Sequence, residues 1–270
     1  MTSIEKIGFI GGGNMAEALI KGLIKGAFPA GQILVAEPLK SRRLQLAERY
    51  GIDTRETAAE VVPASQVVVL AVKPQVVFSV MPEIARVFKS EALLVSIAAG
   101  ICSLTLEGFF AEGARLVRAM PNTPALVGAG ATAICRGSRA VEEDMQTARH
   151  LFETVGMVRV VDEGQMDAVT GLSGSGPAYV YTVIEAMAAG GVQQGLPMDV
   201  ALALAAQTVA GAARLVLEGG EHPAQLRDKV CSPGGTTIAA VKALEEKGLR
   251  AALMEAVARA AQRSAELGNK

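Results

Sequence analysis

The 270-residue chain has no tryptophan, only two histidines and three cysteines, and just 4% aromatic residues. Cys102, Cys135 and Cys231 stand far apart and match neither a metal-ligand nor a disulfide pattern, so reduced thiols and no metal site are expected. Charge of one sign is also missing. Twenty-six basic and 27 acidic side chains leave a formal −1, which gives no reason to expect a nucleic-acid partner. Residues 1–6 lack the layout of a signal peptide. Long apolar runs are absent too: the most hydrophobic stretch, Val200–Leu217, is interrupted by Gln207 and Arg214. Its alanine content predicts close helix packing in a soluble core, hence no membrane partner and a cytoplasmic location. What is present is apolar bulk: half the residues are hydrophobic, enough for one or two globular domains.

Short runs rich in Val, Ile and Leu recur at Lys6–Ile10, Ile33–Ala36, Val67–Val72, Leu93–Ile97 and Leu116–Ala119. Each has the length and composition of a strand buried on both faces, and amphipathic stretches separate them. That alternation predicts an α/β fold, an N-terminal Rossmann-like domain with a parallel sheet and right-handed crossovers. Ala131–Cys135 and Val158–Val161 should extend the sheet. Beyond Gly164 only helix-length segments appear, one opening at Pro177, one at Pro197 or Asp199, one after Gly234–Gly235 and one over Leu249–Leu267. The expected division is therefore 1–165, a dinucleotide-binding domain, and 166–270, an all-α domain, joined by helix rather than by a flexible linker.

The stretch Gly8-Phe9-Ile10-Gly11-Gly12-Gly13-Asn14-Met15-Ala16 fits G-x-G-x-x-G/A between the first strand and first helix. Gly11 permits a tight turn, Gly13 lets a pyrophosphate approach bare backbone, and small Ala16 lets the helix pack on the sheet. Glu37 closes the second strand, where an acid can accept hydrogen bonds from ribose hydroxyls; this leans towards NADH. Arg42 and Arg43 just downstream could offset its charge, so NADPH stays open. The later strands end in Ala71-Val72-Lys73-Pro74, Ala98-Ala99-Gly100 and Pro121-Asn122-Thr123-Pro124, small residues at the crevice where open α/β sheets bind ligands. Asn122 can orient an amide there, and Lys73 can reach a ribose or phosphate or simply remain solvated.

A second glycine turn, Cys231-Ser232-Pro233-Gly234-Gly235-Thr236-Thr237, opens a late helix. Its hydroxyls and exposed backbone suit a small carboxylate, although N-capping by a threonine would account for the same residues. Together with GFIGGGNMA, AVKP at Ala71–Pro74, SIAAG at Ser96–Gly100, RAMPNTP at Arg118–Pro124 and GLSGSGPAY at Gly171–Tyr179, this turn gives the chain its resemblance to the pyrroline-5-carboxylate reductase family. The likeness covers essentially the whole length. It implies NAD(P)H-dependent reduction of 1-pyrroline-5-carboxylate to L-proline, the last step of proline biosynthesis. It also implies a cofactor on Ile10, Gly11, Gly12, Gly13, Asn14 and Met15 and on Ala71, Val72, Lys73, Pro74, Ala98, Ala99 and Gly100. By the same likeness Ser232, Gly235 and Thr236 take the substrate carboxylate and Thr237, the catalytic residue, faces the ring nitrogen. Glu163 matches an acidic family position near the ligands, and Ser175 lies in a turn that can approach them. Family members pair through their C-terminal helices, and several assemble further into rings of dimers. The chain departs from many NADP-preferring members at Glu37, where they carry serine or another small polar residue.

The scarcity of proton donors suits this chemistry. A cyclic imine nitrogen is basic enough to arrive protonated, so orientation and electrostatics can carry the reaction. His150 and His222 are expected to be structural or exposed, and Ser173–Ser175 lacks the setting of a hydrolase triad. A related imine reductase remains an alternative. So does a hydroxyacid dehydrogenase, but it would need an acid such as lysine on the helix after the glycine-rich turn, which Pro177–Gln194 does not provide. A non-catalytic redox sensor would need no second cradle.

Overall fold

The computed structural model describes residues 4–111 and 113–268. Eight strands form one sheet: β1 (Ile7–Ile10), β2 (Ile33–Ala36), β3 (Asp53–Arg55), β4 (Val67–Leu70), β5 (Leu93–Ser96), β6 (Arg115–Met120), β7 (Gly130–Arg136) and β8 (Gly156–Val160). Their order is β3-β2-β1-β4-β5-β6-β7-β8, and neighbours are parallel throughout except β6 and β7. The runs Ala131–Cys135 and Val158–Val161 extend the sheet as β7 and β8. The link from β6 to β7 holds only a short 3-10 turn, Thr123–Val127, and without a crossover helix the chain must return antiparallel.

The central strands are buried on both faces, as their unbroken apolar runs require. Alternate residues feed two cores: Val67 and Val69 join Phe9, Leu19 and Phe152 on one side, while Val68 and Leu70 join Ile84, Leu94 and Leu116 on the other. The strand missed in the sequence, β3, is a three-residue polar edge with no apolar face to betray it.

After β8 the chain is helical, with a 3-10 turn at Glu163–Gln165, α-helix at Met166–Val169, a π-turn at Thr170–Gly174, and then helices Gly176–Gln193, Met198–Gly219, Pro223–Val230, Thr236–Glu246 and Leu249–Gly268. Two compact units result, Met1–Ser175 with Ala258–Lys270, and Gly176–Val257. The end of the last helix, from Ala258, groups with the first unit. There Ser264 Oγ donates to Asp167 at 2.6 Å, and Gly268 lies so close to Gly100 that a Cβ on it would sit 2.3 Å from the Gly100 carbonyl oxygen.

Within the second unit, among the described residues, the buried hydrophobics are Ala188, Ala201 and Ala205 alone. Leu204, Leu215, Leu217, Leu244 and Met254 are exposed. Met198–Gly219 is long and apolar enough by length and composition to cross a membrane, and only 11% of its most apolar window is buried. The close packing expected of this segment is not supplied within the single chain. Gln207 and Arg214 break the run of letters but not the helix, and its apolar faces lie open in the single chain.

Candidate active site

The first cradle is built as its glycines demand. Gly11 has φ +98°, and a Cβ there would lie 2.8 Å from the Ala71 carbonyl oxygen. Gly12 packs against Leu46 and Glu37, and its N–H donates to Glu37 Oε2 at 2.9 Å. Gly13 is the N-cap of helix Asn14–Lys25, with no side-chain cap, and a Cβ on it would meet nothing within 4 Å. This is open backbone at a helix N-terminus, which fits a dinucleotide pyrophosphate. Ala16 is fully buried beneath it.

Beside the cradle lies a cavity of about 580 Å³ bordered by Ile10, Gly11, Gly13, Glu37, Ala71, Val72 and Lys73. Seven sequence-expected cofactor residues therefore come together around one space. Glu56, Thr57 and Glu83 also border it and were not foreseen. Glu56 and Thr57 directly follow the polar edge strand β3, and Glu83 lies on the helix Pro74–Val87. Gly12, Asn14, Met15 and Pro74 adjoin the lining residues in sequence, while Ala98, Ala99, Gly100 and Asn122 are not among them.

Gly100, at φ +76°, makes the turn after β5, with Ser264 and Leu267 against it. Asn122 is almost buried and ties two loops: Oδ1 accepts from Ala131 N at 2.8 Å and Nδ2 donates to the Ser173 carbonyl at 3.1 Å. In this position it braces the π-turn. Ser175 N closes that turn by donating to Thr170 O at 2.8 Å, and Gly174 leaves room for Met120.

Glu163, expected at the substrate, has both carboxylate oxygens occupied. Oε1 accepts from Arg118 Nη1 at 2.6 Å and Ser103 N at 3.2 Å; Oε2 accepts from Ser103 Oγ at 2.5 Å and Cys135 Sγ at 3.1 Å. Burial works to raise its pKa, but the donors Ser103, Cys135 and Arg118 outweigh burial and hold it below the ordinary value. Burial, and then the hydrogen bond to Glu163, push the Cys135 thiol up to about 12. A separate cavity of about 370 Å³ borders Glu163 together with Arg136 and Arg149.

The second cradle lies in the other unit. Gly235 N donates to Ser232 O at 3.0 Å, and Gly234 adopts φ +66°. A Cβ on Gly235 would sit 2.2 Å from Ser232 Oγ. Helix Thr236–Glu246 has Gly235 as its N-cap without a side-chain cap, so Thr236 and Thr237 are its first two residues and neither is the cap. The threonine-capping alternative is thereby set aside. Ser232 and Thr236 are exposed, and Thr237 and Gly235 are partly so. Both histidines are structural: His222 caps helix Pro223–Val230, and His150 Nδ1 meets the Gln146 carbonyl. Among the described residues no group of His, Cys, Asp and Glu could hold a metal ion.

Comparison with known proteins bears on both halves. A family described as pyrroline-5-carboxylate reductase dimerisation matches residues 163–267, and one described as NADP oxidoreductase, coenzyme F420-dependent, matches residues 6–100. A pyrroline-5-carboxylate reductase of Methanosarcina acetivorans is 47% identical over 98% of this chain and 99% of its own. One from Arabidopsis thaliana is 47% identical over 97% and 95%. Among solved structures, the enzyme from Coxiella burnetii superposes with a TM-score of 0.92 at 37% identity, covering 98% of this chain and 99% of that one. The Plasmodium falciparum enzyme, described with NADP bound, gives 0.88 at 31%, covering 99% of both.

Proposed function

The chain belongs to the pyrroline-5-carboxylate reductase family and reduces 1-pyrroline-5-carboxylate to L-proline with NADH or NADPH; on that premise we propose how its two glycine cradles divide the work. The observation that carries the proposal is the pair of uncapped helix N-termini, one at Gly13 beside the 580 Å³ cavity and one at Gly235. Each offers backbone N–H groups and the positive end of a helix to an anion.

Ile10 to Met15 cradle the cofactor's phosphates, Glu37 meets the adenosine ribose, and Ala71 to Pro74 with Ala98 to Gly100 line the rest of its path. Asn122 sets the loop beyond β6. When bound, the cofactor supplies a hydride. Ser232, Gly235 and Thr236 hold the substrate carboxylate, and the Thr237 hydroxyl hydrogen-bonds the ring nitrogen. No side chain need deliver a proton during the reaction, because the imine nitrogen can arrive already protonated. Fixing the ring in reach of the hydride is the protein's contribution. Glu163 contributes through Ser103 and Arg118, and Ser175 through the π-turn.

In this reading residues 1–165 serve the cofactor and 166–270 serve the substrate and the dimer, in a cytoplasmic enzyme. The open apolar faces of the helices pack against a second copy, and such dimers can close into a ring; light scattering of the purified protein measures both steps. A hydroxyacid dehydrogenase is disfavoured because helix Gly176–Gln193 carries no lysine and a single acid, Glu185. The test is oxidation of reduced cofactor on adding the imine, repeated with Thr237→Ala. That variant should lower kcat roughly ten- to a hundredfold with cofactor KM little changed. Unaltered turnover would reduce the second cradle to a helix start.

A further inference from the structure

The adenosine end of the cofactor cavity is acidic. Glu37, Glu56 and Glu83 border it, and Lys73 is the one cation among the bordering residues. The two nearby arginines are not among those residues, and both are already hydrogen-bonded. Arg42 Nε donates to the Gly12 carbonyl at 2.7 Å, Nη1 to Gln45 at 2.7 Å and Nη2 to Glu17 at 2.5 Å, so each of its nitrogens has a partner. Glu17 is itself held by Arg49 and Tyr50. Arg43 Nη1 donates to the carbonyls of Glu37 and Pro38 at 2.7 and 2.8 Å, and Nη2 reaches Glu56 at 3.2 Å. Meanwhile Glu37 is fixed from two sides: Oε2 accepts from Gly12 N at 2.9 Å and Oε1 from Leu39 N at 3.0 Å. Each oxygen keeps a lone pair that a ribose hydroxyl can donate to.

We propose that this chain selects the nicotinamide dinucleotide lacking an adenosine 2′-phosphate, through Glu37 as the reader and through Glu17 and Glu56, which keep Arg42 and Arg43 from serving as phosphate ligands. The proposal rests on the cofactor reading of the first cradle. Glu37 cannot withdraw without giving up the N–H bond that shapes Gly12. A 2′-phosphate therefore meets a stationary like charge, while Arg43, at the cavity's rim, is already bonded to Glu37, Pro38 and Glu56. Two unit charges about 4 Å apart repel by about 1 kcal/mol even in water, and a phosphate monoester carries more than one, so discrimination of roughly tenfold or more is expected.

The experiment is fluorescence titration of the purified protein with NADH and with NADPH, at one fixed salt concentration, alongside kcat/KM for each. NADH should bind at least about tenfold more tightly. Glu37→Gln, which keeps the shape and removes the charge, and Glu37→Ser should each improve NADPH binding. Glu56→Gln, by releasing Arg43, should improve NADPH binding selectively, and adding Arg43→Ala should cancel that gain. Thermal melts establish that each variant is folded. Equal or tighter binding of NADPH by the parent protein would overturn the proposal, and so would NADPH affinity left unmoved in both Glu37 variants. Binding of neither dinucleotide would instead refute the cofactor reading beneath it.

Discussion

Removing one partner from the Arg118–Glu163 cluster should be far more damaging than removing the other. The Arg118 side chain is 6% exposed, whereas that of Glu163 is 36% exposed. Glu163→Ala would leave a buried guanidinium without its counter-charge and would also strip acceptors from Ser103 and Cys135. Breaking a buried pair from one side costs about 3–5 kcal/mol; water can enter through the Glu163 side, so about 2–3 kcal/mol is expected here. For a chain of this size that corresponds to a fall in Tm of roughly 5–10 °C. Arg118→Met leaves a carboxylate that reaches solvent and still accepts from Ser103 and Cys135, and should cost about 1 kcal/mol. Urea denaturation of both variants measures the difference. If Arg118→Met proves equally or more destabilising, desolvation does not govern this cluster. The pH dependence adds a check of sign. Glu163 has a lowered pKa in the folded chain, so its contribution is complete above about pH 4.5 and is lost as the pH falls through the folded value. The stability gap between the parent and Glu163→Gln should therefore shrink on acidification, and a gap independent of pH would contradict the assignment.

Gly11→Ala and Gly13→Ala should separate folding from binding. The first forces φ +98° on an L-residue with its Cβ against the Ala71 carbonyl, costing about 1–2 kcal/mol, whereas the second meets open space and should alter stability by less than about 0.5 kcal/mol. Both should weaken dinucleotide affinity, which titration reads; an unaffected Gly13→Ala would mean that nothing approaches that backbone. Cys135, 1% exposed and with its thiol pushed up to about 12, should resist maleimide at pH 8 in the native protein and react once urea unfolds it. Mass spectrometry of the labelled peptides decides this, and native labelling of Cys135 would contradict its placement.

The geometry of the first glycine turn was legible because its constraints are local: a glycine at a left-handed turn, a glycine in open space and an alanine under a helix all fall within six residues. The serine, glycine and threonine turn at 232–237 was legible for the same reason, though only the backbone decided between a threonine cap and a glycine cap. Glu163 was not legible in this sense. Its partners stand 28 to 60 residues away in sequence, and nothing in a carboxylate's neighbours reveals how many donors will converge on it. Glu56 escaped because the strand that brings it to the cavity has no apolar pattern, and Glu83 because its contact with Ala59 spans 24 residues of sequence. The helical half was legible as helices but not as surfaces. Hydrophobic letters announce burial without saying whether the covering side chains come from the same chain.

Three small alanines are the whole interior of the segment from Gly176 to Val257 among the described residues. Such a segment has little reason of its own to hold a fixed shape, and a family profile named for dimerisation spans it. Its equilibrium with the unfolded chain then depends on how many copies are present, so dilution acts on it as a mild denaturant.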